Sequence, residues 1–158
     1  MERARDESWR GTVVNSTLEE ARAELNVRCD SIEECYEYML AFAGQGLPGE
    51  AGKGAVIRDF LGRSAAALNG LSEVCADAVK QEGLEHPERY QAFIRVVERD
   101  AQDSLAAIEI VLAQSIISSQ LIDNLNASIH LRALLTDLFL IDEIIKAHQI
   151  AEQPASAN

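Results

Sequence analysis

The sequence predicts an all-α fold: a four-helix bundle with a glycine-rich first inter-helix loop and flexible termini. Three observations carry this. Ala, Leu, Ile and Glu dominate while aromatics make up only 5%; the former lose little rotamer freedom in a helix, whereas strands draw on β-branched and aromatic residues. Apolar residues recur at steps of three and four over long stretches, and no segment alternates with the period of two that a strand requires. Turn formers gather in a few places, which divides the chain into a flexible segment 1–15, a helical bundle 16–151 and a loose tail 152–158.

The first helix is expected at Thr17, which with Glu20 forms a capping box. Leu25, Cys29, Ile32, Tyr36, Met39 and Ala43 then share one face, with Glu24, Asp30, Glu33, Glu34 and Glu37 elsewhere, and Gly44 ends the run. The second helix is expected over 49–82, with Ile57, Phe60, Ser64, Leu68, Leu71, Cys75 and Ala78 inward and Gly83 as a left-handed cap. Pro87 suits the first position of a third helix, where its missing N–H costs nothing. That helix carries Val97, Ala101, Leu105, Ile108, Leu112 and Ile116 inward. No Gly or Pro lies between Pro87 and Pro154, so the break before a fourth helix is placed at "DNLNAS", 123–128, where Asn, Asp and Ser compete with the helical backbone. The fourth helix turns Leu131, Leu134, Leu138, Ile141 and Ile145 inward.

Twenty-six Asp and Glu against fourteen Lys and Arg give a net charge of −12, which repels a phosphate backbone and argues against nucleic acid. No apolar run approaches the roughly 20 residues of a membrane span, and the start "MERARDESWRGTVV" lacks an export signal. With an odd number of cysteines, Cys29, Cys35 and Cys75, the expected location is a reducing cytoplasm. "GQGLPGEAGKG", 44–54, fails as a phosphate loop because its spacing is wrong and Gly54 stands where a hydroxyl is needed; it reads as a hinge. Lys53 and Arg58 nearby are the residues that would attract an anion there.

No catalytic motif emerges and no cofactor is expected. A di-iron carboxylate centre wants two Glu-x-x-His pairs, and the chain has none. The candidate metal set is Glu109, His130 and Asp137, at the edges of the third and fourth stripes; groups of this kind also serve as hydrogen-bonded flankers of a helix seam. His148 lies on the same sector, too far along the helix to join them.

One feature exceeds a plain bundle. Opposite the core stripe of the third helix lie Ala106, Ile110, Ala113, Ile117 and Leu121, and the fourth helix repeats this with Phe139, Leu140 and Ile144. A helix apolar on two faces must be covered on both. The sequence therefore predicts a non-catalytic protein that acts through protein contacts and self-associates through Ile110, Ile117, Leu121, Phe139, Leu140 and Ile144, a symmetry mate being the simplest cover. The alternative is a bundle enclosing a metal or small cofactor, with redox or oxygen-linked chemistry; a third reading is small-ligand sensing in an apolar cavity, since Ala-rich stripes leave room between helices.

Overall fold

The structure, a computed structural model, describes residues 3–45 and 54–153, with side chains described from Glu20 to Gln45 and from Ala55 to Gln153. These residues contain no strand and form six helices: α1 (Arg3–Gly44), α2 (Gly54–Leu68), α3 (Leu71–Gln81), α4 (Pro87–Leu112), α5 (Ser119–Ala127) and α6 (His130–Glu152). No helix among them is long and apolar enough to cross a membrane. The hinge expected over 44–54 falls largely outside the described residues; Gly44 closes α1 and Gly54 opens α2.

Six helices replace the expected four for local reasons. The second splits at Asn69 and Gly70, where Gly70 sits at φ 72, a left-handed conformation that glycine adopts without a Cβ penalty. Gly83 takes the expected left-handed place after α3, at φ 63, and Pro87 opens α4 as expected. The third helix then stops at Leu112, well before 123–128. Ser118 restarts the chain by accepting the Leu121 N–H at 3.1 Å, and α5 runs on to the second break at Ile129. Thr17 starts nothing, because α1 is already helical from Arg3; Gly11 weakens that helix without ending it.

Two arginines reinforce helix ends from another helix. Arg58 of α2 donates to the carbonyls of Leu112, Gln114 and Ser115 at 3.0, 2.6 and 3.0 Å, which closes the C-terminus of α4. Arg28 of α1 donates to Ala67 and Asn69 at 3.1 and 2.6 Å and closes α2, while Glu24 fixes its guanidinium at 2.8 and 3.0 Å. Each places positive charge on carbonyls at the negative end of a helix dipole. Arg58 is thus turned to carbonyls, and its expected pull on an anion is spent there.

These contacts also set directions. Arg28 meets the end of α2 while Tyr38, later in α1, stacks on Phe60 in the middle of α2, ring centroids 4.4 Å apart, so α1 and α2 are antiparallel. Both α1 and α4 pack on α2, α3, α5 and α6. The core takes Ile32, Met39 and Phe42 from α1, Leu61 and Leu71 from α2 and α3, Ile108 from α4, Ile122 from α5, and Leu134, Ile141 and Ile145 from α6. All five residues expected to face inward from the last helix do so.

Candidate interaction surface

The helices that carry the doubled apolar pattern, α4 and α6, pack against each other. His130 and Leu131 lie beside Ser104, Ala107 and Ile108, and Asp137 lies beside Asp100, which makes the pair antiparallel. Of the six residues expected to form a self-association face, three remain in water: Ile110 at 67% exposure, Leu140 at 50% and Phe139 at 48%. Leu121 and Ile144 are half-buried.

Ile117 is a correction, since it is fully buried inside the chain. Its place on an outer face assumed that helical phase continued past Leu112. The chain instead leaves the helix over 113–118, dropping Ile117 into the core and turning Ile116, expected inward, out to 61% exposure.

The antiparallel register also divides what remains. Ile110 stands near the start of α6, roughly 20 Å along the axis from the level of Leu140 at 1.5 Å per residue. Val96, exposed on α4 and absent from the expected face, is at the level of Leu140. Its spacing with Ile110, two heptads apart, was the available signal. Phe139 faces the other way and lines a groove of about 310 Å³ between α1 and α6.

That second side is acidic. Asp30, Glu33, Asp142 and Glu143 line the groove, with Lys146 the one cation among its lining residues. Burial and the charges of Asp30, Glu37 and Asp142 push the Glu33 carboxyl up. Just beyond the groove, Arg22 donates to Asp142 at 2.7 Å and forms an ion pair with Glu82 at 3.6 Å, while the Gln149 amide donates to Glu82 at 2.9 Å. This network ties α1 to α6 and to the C-terminal cap of α3.

The candidate metal set does not assemble. Glu109 is exposed and His130 is half-buried beside Ser104, while Asp137 pairs with Asp100. Among the described residues, no group of three or more His, Cys, Asp or Glu is placed to hold a metal ion. His148 stands 3.3 Å from Glu152, in a geometry too poor for a hydrogen bond.

Asp137 has a distinct environment. Its Oδ2 is buried and receives no hydrogen bond, so the pair is relieved when Asp137 itself carries a proton. Burial first, then the hydrogen bond and charge of Asp100, push its carboxyl up to about 6. The three cysteines are free; Cys35 and Cys75 are buried and Cys29 is half-buried. Burial pushes Cys29 and Cys75 up to about 12 and Cys35 to about 11, which leaves them protonated and poor nucleophiles at neutral pH.

Compared with protein-family models, curated proteins and solved structures, the chain finds no match.

Proposed function

We propose that this is a non-catalytic helical protein that works through protein contacts, as an assembly, adaptor or regulatory subunit, and that it self-associates through the outer seam of α4 and α6. If α2–α3 and α5–α6 are each counted as one broken rod, the architecture is a four-helix bundle. One observation carries the reading: Val96, Ile110 and Leu140 project into water from two helices that already pack against each other. A second copy is the simplest cover for that seam. The α1–α6 side is an unsuitable meeting face for two chains of net charge −12, since its groove is lined by four carboxylates. Free, protonated thiols fit the reducing cytoplasm proposed as its location.

Covering a large apolar side chain is worth about 1.5–3 kcal/mol when burial is complete. These three are already partly covered, so about half of that is left to gain, and a symmetric pair counts each residue twice. The total is roughly 5–9 kcal/mol per dimer, against which association costs are set.

Light scattering on a size-exclusion column at micromolar concentration tests the reading. The native chain is expected as a dimer. Leu140→Glu and Val96→Glu are expected to give monomers with an unchanged helical circular dichroism spectrum. A native chain that stays monomeric would remove the basis of the reading.

A further inference from the structure

On another side of the molecule, α3 and α4 open a groove that the self-association seam does not use. Gly83 turns the chain at φ 63 and His86 at φ 61, and between them half-buried Leu84 packs against the core. The resulting cavity of about 500 Å³ lies within the roughly 300–1,000 Å³ of small-ligand sites. Val79, Leu84, Pro87 and Ile94 give it an apolar wall.

Its polar groups point to a ligand of one sign. No carboxylate lines it, although the chain carries a net charge of −12. The exposed Lys80 is its one charged lining residue, and Tyr90 and Gln91 bring a hydroxyl and an amide to the same cavity. Among the described residues, neither the Lys80 ammonium nor the Tyr90 hydroxyl has a protein partner. An ammonium and a phenol beside an apolar wall match a carboxylate at the end of a hydrocarbon tail. The lining residues run from Ala76 to Gly83 and from Pro87 to Ile94, roughly 10 Å along the helices at 1.5 Å per residue, a length that suits a medium-chain tail.

We propose that the α3–α4 groove binds a free medium-chain fatty carboxylate, with its tail on Val79, Leu84, Pro87 and Ile94 and its head between Lys80 and Tyr90. This site is independent of the self-association seam and stands whether or not the chain dimerises.

Calorimetric titration of the full chain with hexanoate, octanoate and decanoate, each below micelle formation, tests it. One site per chain is expected, tightening about fourfold for each methylene added, as burial of a CH₂ requires. Decylamine is expected to bind more weakly than decanoate, against the pull of the chain's overall charge. Lys80→Met should weaken decanoate about fivefold, the scale of a part-exposed ion pair, and leave decanol unchanged.

Ala76, which also lines the groove, gives a blocking variant: Ala76→Trp should abolish binding. Should that variant misfold, methyl shifts of Val79, Leu84 and Ile94 in the native chain locate the ligand independently. The proposal is overturned by absent saturable heat with no shift at these methyls, or by decylamine binding as tightly as decanoate. It is also overturned if Ala76→Trp dissociates a native dimer that takes up no decanoate, which would make a second copy the occupant.

Discussion

Two residues sit in environments that should cost stability, and both can be relieved by one substitution. Ile129 links α5 to α6 at φ 62, a conformation that places a β-branched Cβ against its own backbone at roughly 1–2 kcal/mol. More than half of its side chain is in water, so burial returns little of that cost. Ile129→Gly is expected to raise stability by about 0.5–1 kcal/mol in urea denaturation, after the added freedom of the unfolded chain is counted. Asp137 is the second. An unfolded Asp titrates near ~3.9, whereas the folded carboxyl titrates at about 6. Between these values the native state holds the proton more tightly, so stability falls as pH rises through that window. Asp137→Asn should flatten the profile of stability against pH between about 4 and 6. At pH 7 it should stabilise by no more than about 1 kcal/mol, since the pair is part-exposed and screened. Neither feature could be read from composition or spacing, because each depends on where a break falls or which helices meet.

At the scale of the element, what was legible follows how local its cause is. Pro87 at the start of α4 and Gly83 after α3 are decided by the backbone preference of a single residue, and both were foreseen. The core row of α6 was complete because no break interrupts its periodicity. Gly70 had the right residue for a break but lies inside an apolar stripe that continues across it, so periodicity hid the turn. The end of α4 had neither Gly nor Pro. Its signal was weaker: Ser115, Ile116, Ile117, Ser118 and Ser119 are all modest helix formers, with Ser118 a suitable N-cap. That break depends instead on a distant side chain, since Arg58 takes the carbonyls of Leu112, Gln114 and Ser115. Arg58→Ala is expected to cost about 2 kcal/mol in urea denaturation, the worth of charge-assisted hydrogen bonds. Arg58→Lys should recover only part, because an ammonium lacks the fork that spans several carbonyls.

For the whole molecule, the outward apolar surface was legible in kind and misplaced in detail. Helical phase put Ile110 and Leu140 outside, where they are, but it also carried Ile117 past the end of α4 into a position that the chain does not reach. The metal set failed for a related reason, since membership of one stripe does not bring residues on different helices to one level or one side. The same distinction separates two classes of variant. Ile117→Glu buries an uncompensated carboxylate and should unfold the chain, whereas Leu140→Glu should leave the fold and change only its assembly; circular dichroism beside light scattering tells them apart. The two arginine clasps have a consequence for motion. A rod closed only by its own residues can fray alone, but the end of α2 is also held by a side chain of α1, and that of α4 by a side chain of α2. Peeling α1 from α2 releases carbonyls of α2, and peeling α2 from α4 releases those at the end of α4, so amide exchange at the far ends of α2 and α4 is expected to run with that of the middle of α1.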